Sequence, residues 1–247
     1  MDFVLKGNLC YCESPERLTT LANGYLVSVD GVCAGAFATL PARYAGLPVR
    51  DLGDALVMPG MNDLHLHAPQ FAYRGLGMDL ELIDWLNTRA FPEESKYADL
   101  EYAKLAYGMF VDALKRSATT RFGCFATLHA PATLLLMEML EQTGLRGYVG
   151  KVSMDRNAPD TLCENNAEQT ARDYKAWLTE ARQRFTRMRP ILSPRFIPAC
   201  SDGLMQSLGA LMRKYEMPLQ SHLSENPKEI CWVRELCPDT DGYADAY

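Results

Sequence analysis

The chain has 247 residues, 48% hydrophobic and 23% charged, with 25 Lys and Arg against 31 Asp and Glu for a formal net charge of -6. This is the composition of a folded chain with an apolar core, not of a disordered one, and the length allows one to two domains. The acidic balance argues against a chain that works on nucleic acid or on an anionic membrane, since both call for a basic face.

The most apolar stretch, residues 131–140, carries Glu138 and is followed by Glu141. It reads as a helix with a wet face, not as the ~20-residue apolar span that a membrane needs. The N-terminus has no basic segment leading into an apolar one, so it is not a secretory signal. The eight cysteines include no C-x-x-C pair, and reduced thiols in a cytoplasmic protein are expected. Cys10 and Cys12 are expected on one face of a short strand.

Residues 1–56 consist of short β-leaning runs with turn signals and read as a small β-domain. Within them, residues 25–29, Asp30-Gly31 and residues 32–37 predict a hairpin, because Asp-Gly supplies the positive φ angles of a type I′ turn. From Ala55 the rhythm changes to strand, loop and helix. Residues 55–67 read as one strand. A helix is expected over 92–116, with Pro92 in its first turn and Tyr102, Leu105, Ala106, Met109, Phe110 and Ala113 at three- to four-residue steps. A β-rich run over 117–127 follows, then a helix over 131–142 stopped by Gly144. Residues 145–153 read as a strand. Asn166 with Gln169 resembles a capping box and opens a helix to about 185. A strand over 189–198 leads to Ser201, which caps a helix with Leu204, Leu208, Leu211, Met212 and Tyr215 on one side. Residues 217–223 predict a further strand, and Pro227 starts another helix. Five strand–helix units in a row argue for an α/β fold with a parallel sheet, either open and doubly wound or closed as a barrel. The glycine-rich phosphate loops that would favour the open sheet do not occur.

The strongest chemical signal is Asp63-Leu-His65-Leu-His67 at the end of the first of these strands. Residues i and i+2 of a strand project from one face, so His65 and His67 are close enough to share a metal, and neutral imidazole suits zinc. The alternative is two histidines paired by chance, and H-x-H alone does not separate the two. Gln220-Ser-His222-Leu-Ser-Glu225 ends the fifth strand and offers a third imidazole. Glu225 lies just past it, where a carboxylate can move protons beside a metal site. An ordinary Glu favoured by a helix dipole is the competing account. With His65 and His67 at the same end of a parallel sheet, the metal reading is the better one. Ser193-Pro-Arg195-Phe196 ends the fourth strand. A buried Arg beside a flat apolar ring suits a planar ligand with a carbonyl, or else forms a structural ion pair next to a core Phe. Three such features at the C-terminal edge of a sheet are what a barrel predicts for an active site.

These residues resemble the amidohydrolase superfamily, and within it the branch that deaminates guanine. Met58-Pro-Gly60 leading into Asp63-x-His65-x-His67 matches the broad pattern. Residues 80–86, with Phe91-Pro92-x-Glu94, resemble a subgroup that deaminates or dechlorinates ring amidines. His67-Ala-Pro-Gln70, Phe125-Ala-Thr-Leu-His129, Val149-Gly-Lys-Val152, Ser193-Pro-Arg195-Phe196 and Ser221-His222-Leu-Ser-Glu225-Asn226 resemble the guanine-specific branch. The resemblance runs from about residue 55 onward. It implies a TIM (β/α)8 barrel over 57–247 with about five units present, and residues 1–56 as part of a small flanking β-sandwich. It implies one zinc per complete subunit on His65, His67 and His222, with Glu225 and His222 in catalysis. It implies that His67, Gln70, Arg195, Phe196 and Glu225 bind guanine, which yields xanthine and ammonia. A homodimer in the cytoplasm, free of nucleic acid and membrane, is expected for the full-length protein. Lys151 sits on the third strand, whereas a carboxylated lysine that bridges two metals belongs on the fourth, so one metal is expected. His129 lines the pocket at most and is given no catalytic role. The alternatives are a relative acting on another ring, of the thiomethyladenosine deaminase or chlorotriazine hydrolase type, and a non-catalytic scaffold.

The superfamily also uses a His on the sixth strand and an Asp on the eighth. No His follows His222, and Asp239, Asp241 and Asp245 come too soon after the fifth strand. The chain is therefore expected to be an N-terminal fragment, its barrel unclosed, binding zinc weakly and not turning guanine over by itself.

Overall fold

A computed structural model describes residues 2–164 and 166–247. Asp30 and Gly31 take φ angles of 52° and 74°, so the expected turn forms. It joins two strands of a sheet larger than the hairpin, made of β1 (Phe3–Ser14), β2 (Arg17–Val29), β3 (Val32–Phe37) and β4 (Val49–Val57). The strand order is β3-β2-β1-β4, with β1 antiparallel to β2 and parallel to β4. Val4, Leu9 and Val27 are its buried side chains. These strands belong to a compact unit that ends at Gly60, and a second unit spans Met61–Tyr247.

The run 55–67, expected as one strand, is two. Pro59 has no N–H to give a ladder, so the chain leaves β4 at Val57 and starts β5 (Met61–His67) in the second unit. The expected helix 92–116 also divides. A 3₁₀ turn over Ala68–Tyr73 leads to α1 (Leu82–Trp85), a π-helical turn over Leu86–Ala90 and α2 (Phe91–Ser95), and α3 (Leu100–Lys115) follows separately. Asp99 makes the break: its backbone is extended, and its carboxylate accepts from the N–H of Glu101 as an N-cap.

The rest alternates through β6 (Thr119–Phe125), α4 (Ala130–Glu141), β7 (Arg146–Gly150), β8 (Val152–Ser153), α5 (Ala167–Arg184), β9 (Met188–Pro190), β10 (Ser193–Pro194), α6 (Asp202–Tyr215) and α7 (Pro227–Leu236). The expected caps form, with Asn166 accepting from the N–H of Gln169 and Ser201 from that of Leu204. The expected strands 145–153 and 189–198 are each split in two, the second next to Pro190, which cannot donate to a ladder. The expected strand 217–223 is reduced to a single parallel bridge from Leu219 to Leu192.

β5, β6, β7 and β9 lie parallel in chain order, and the β8–β10 pair and the Leu219 bridge continue that order. A doubly wound sheet reverses its order at a switch point. This one advances without reversal, as a β/α barrel does, and it is not closed among the described residues. Phe122, Cys124, Val149 and Met188 bury one face of the sheet against Phe110 of α3, Leu136 and Leu140 of α4, Trp177 of α5 and Leu204 and Leu208 of α6. Each such side chain contributes ~1.5–3 kcal/mol, so this layer, more than strand propensity, pins the strand ends. The register sets His67 beside Phe125 and Phe125 beside Gly150. A Cβ on Gly150 would lie 1.8 Å from Ser193 Oγ, so only glycine lets the third and fourth strands close up below the site.

Candidate active site

His65 and His67 leave the end of β5 on one side, as their spacing requires, and His222 reaches them from the extended segment after Leu219. One ligand atom from each lies within 4.8 Å of the others. His222 Nδ1 is 2.6 Å from the Arg195 carbonyl oxygen, which only accepts, so Nδ1 carries the proton. Its Nε2 is then an unprotonated lone pair, 3.0 Å from His67 Nε2. A backbone-held tautomer with the other nitrogen turned toward further imidazoles is the arrangement of a metal-binding histidine. The donor set fits zinc, which takes neutral imidazole nitrogens. Phe125, fully buried, holds the ring planes. It stacks on His67 with centroids 4.6 Å apart and planes at 5°, and on His222 at 4.6 Å and 29°.

Burial pushes both imidazoles toward the neutral form that a metal needs. His67 falls well below the usual histidine range, through burial first and the nearby His222 second. Burial, with the Arg195 charge adding to it, lowers His222 from 6.5 to about 4. The unfolded chain protonates His222 near 6.5 and the folded one only near 4, so the unfolded state holds the extra proton between those values. Metal-free protein should therefore lose stability as pH falls from about 6.5 to about 4, and His222→Asn should flatten that slope in chemical denaturation. An unchanged slope in the variant would show that His222 is not the group responsible.

Glu225 stands across the same cavity. Ser224, one residue before it, has a φ of 55°, a left-handed turn that swings the chain out of the strand direction. Glu229, fully buried, fixes this turn by accepting from the N–H groups of Glu225 at 2.7 Å and Asn226 at 3.0 Å. Tyr243 donates its hydroxyl to the other oxygen of Glu229. Burial, and then the neighbouring Glu229, raise the pKa of Glu225.

The opposite wall is built on Arg195, which follows β10 and is 4% exposed. The partner that a buried guanidinium demands is Glu94 of α2, held in a two-pronged pair at 2.5 and 3.1 Å. Phe196 is buried beside it and meets Trp232 edge-on. His65, His67, Gln70, Arg195, Phe196, His222 and Glu225 all border one cavity of about 250 Å³, together with Leu82, Trp85 and Leu86. Those last three come from the 80–86 segment, which carried no assigned role in the sequence. His129 does not border this cavity. It precedes α4 and lines a separate one with Lys151, whose ammonium pairs with Glu164 at 2.5 Å. The sequence reading gave no role to Glu94, Phe125 or Glu229.

The family model described as "Amidohydrolase family" matches residues 56–245. A protein named guanine deaminase from Dictyostelium discoideum is 41% identical over 200 residues, covering 81% of this chain and 44% of that protein. A solved structure named guanine deaminase from C. acetobutylicum with bound guanine in the active site aligns with a TM-score of 0.96 at 41% identity. It covers 100% of this chain and 59% of that one. A structure named an adenosine deaminase from Xanthomonas campestris with bound zinc shares the fold, with a TM-score of 0.76 at 19% identity over 95% of this chain and 52% of that one. The chain spans about half the length of the curated relatives it matches. Among the described residues, no helix is long and apolar enough to cross a membrane.

Proposed function

Because the chain belongs to the amidohydrolase family, we propose that the whole protein hydrolyses guanine to xanthine and ammonia, as a step of purine catabolism. The observation that carries this reading is one cavity bordered by three clustered imidazoles, a carboxylate of raised pKa and a wall of guanidinium and aromatic ring. One zinc ion would sit on His65, His67 and His222, supplying a Lewis acid that brings the pKa of water to about 7.

The protein's own groups do the rest. Phe196 lies along the flat ring. Arg195 donates toward the ring carbonyl, and Gln70 reads the purine edge. A donor matched to a carbonyl rejects a ring with an amino group in its place, because the donor is then left unpaired. Glu225 accepts a proton from the attacking water, passes it to the ring nitrogen, and then helps protonate the leaving amine. One water is consumed and one ammonia released per guanine. We also propose that the full-length protein acts as a homodimer. Its eight free cysteines fit the reducing cytoplasm, where we place it.

Purified, zinc-loaded full-length protein should release ammonia from guanine in step with xanthine formation, and faster than from adenine, thiomethyladenosine or a chlorotriazine. Preference for one of the other rings would transfer the site to a related ring-amidine hydrolase. No release from any of them by zinc-loaded protein would end the enzymatic reading.

A further inference from the structure

Glu94 is 1% exposed and touches both polar side chains that the proposed function uses to read the ring. Its Oε2 accepts from Arg195 Nη1 at 2.5 Å, and its Oε1 accepts from Arg195 Nη2 at 3.1 Å and from Gln70 Nε2 at 3.4 Å. An ionised carboxylate has no proton to give, so the Gln70 amide must turn its NH2 toward Glu94. Gln70 Oε1, an acceptor, is then left open to a ligand, beside the second N–H of the amide. Both terminal guanidinium nitrogens of Arg195 are likewise occupied, and its side chain makes no other hydrogen bond among the described residues. Its Nε–H and one N–H on each terminal nitrogen remain, so the guanidinium can still donate to a ligand. Charge-assisted and two-pronged, the pair has no net charge to offer a ligand.

We propose that Glu94 is a specificity-determining positioning residue. It holds the Gln70 acceptor and the Arg195 donors of the reading edge in place without net charge, and so selects an uncharged ring amide over the anion of a similar ring. This rests on the guanine reading. Guanine is uncharged at neutral pH, whereas xanthine has a more acidic ring N–H and exists partly as an anion. Glu225 already places a carboxylate on the cavity wall, and the one side-chain cation among the lining residues is paired with Glu94. With zinc held the same, the pair therefore disfavours the ionised product relative to a site in which Arg195 is unpaired.

The test compares zinc-loaded wild-type protein with Glu94→Gln, using calorimetric dissociation constants for guanine and xanthine together with steady-state kinetics. The introduced amide carries no charge, and its NH2 can donate, so Gln70 is free to turn over. Guanine Kd and KM should rise about tenfold or more while kcat changes by less than about threefold. Xanthine binding, which in the wild type weakens as pH carries xanthine into its anion, should no longer weaken. A loss confined to kcat, or an unchanged pH dependence of xanthine binding, overturns the proposal.

Should Glu94→Gln not fold, Glu94→Met/Arg195→Met replaces it, since an ion pair exchanged as a whole for apolar groups is tolerated. With the pair gone whole, guanine should bind about tenfold or more weakly while xanthine still weakens as it ionises; guanine binding within about threefold of wild type, or xanthine binding that no longer weakens, overturns the proposal. Wild-type protein that binds both rings but releases no ammonia refutes the reaction and leaves the Glu94 comparison to be decided by binding. Wild-type protein that binds neither ring refutes both.

Discussion

If the full-length protein turns guanine over as proposed, exchanging Glu225 for Gln in it should lower that turnover about 10³-fold while zinc content stays at the wild-type level. The substitution keeps the size of the side chain and one of its oxygens but removes its ability to take a proton near neutral pH. Glu225 suits the proposed role of base because burial, and then the adjacent Glu229, raise its pKa and so its affinity for a proton. The sign of the pH effect follows. Above the raised pKa the carboxylate is free to accept; below it the base is already protonated, so the rate falls on the acid side. In Glu225→Gln that acid limb should disappear from whatever rate remains. Zinc is retained because the clustered ligand atoms belong to His65, His67 and His222. Ammonia release and metal content, measured on the same preparation, decide the matter. Turnover within about tenfold of wild type would remove Glu225 from the proton path. Loss of zinc together with turnover would make it a metal-holding group.

His65 and His67 could be placed together from sequence because strand periodicity is local: two residues on, the side chain returns to the same face. The alternation of strands and helices, and the caps at Asn166 and Ser201, were legible for the same reason. What could not be read is what distance in the chain conceals. Arg195 plainly needed a partner, but Glu94 lies 101 residues away, and only the packing of α2 against the end of the fourth strand selects it. Phe125 looked like one more apolar strand residue until the parallel register set it beside His67. Pro59 and Asp99 lie inside segments whose local pattern reads as one strand and one helix, and a missing ladder donor and a cap make the breaks there. Glu229 is a different case. Asn226-x-x-Glu229 has the spacing of a capping box, and the box forms, so a local signal pointed to this residue. Its second contact, to Tyr243, is the part that only the fold reveals.

That second contact makes Glu229→Leu the most damaging single change expected outside the imidazole cluster and Glu225. The carboxylate is fully buried, with no basic partner among its described contacts, and it is satisfied by the N–H groups of Glu225 and Asn226 and by the Tyr243 hydroxyl. Tyr243 stays protonated to donate, because burial and then the bond to Glu229 raise its pKa. An apolar replacement takes this acceptor from one buried hydroxyl and two part-buried N–H groups, so a loss of about 1–3 kcal/mol in denaturant-measured stability is expected. It also releases the left-handed turn at Ser224 that aims Glu225, so turnover should fall by more than about tenfold even in the folded fraction. Glu229→Gln separates charge from geometry. Its amide oxygen can still accept from both backbone N–H groups, and the Tyr243 hydroxyl can rotate to accept from its NH2. This variant should keep stability within about 1 kcal/mol of wild type. Without a negative neighbour, Glu225 should lose part of its raised proton affinity, and the acid limb of the rate profile should move to lower pH. A Glu229→Gln profile that overlays the wild type would leave Glu229 only its hold on the backbone. A Glu229→Leu protein as stable as wild type would show that water can replace the carboxylate, and that the turn carrying Glu225 stands without it.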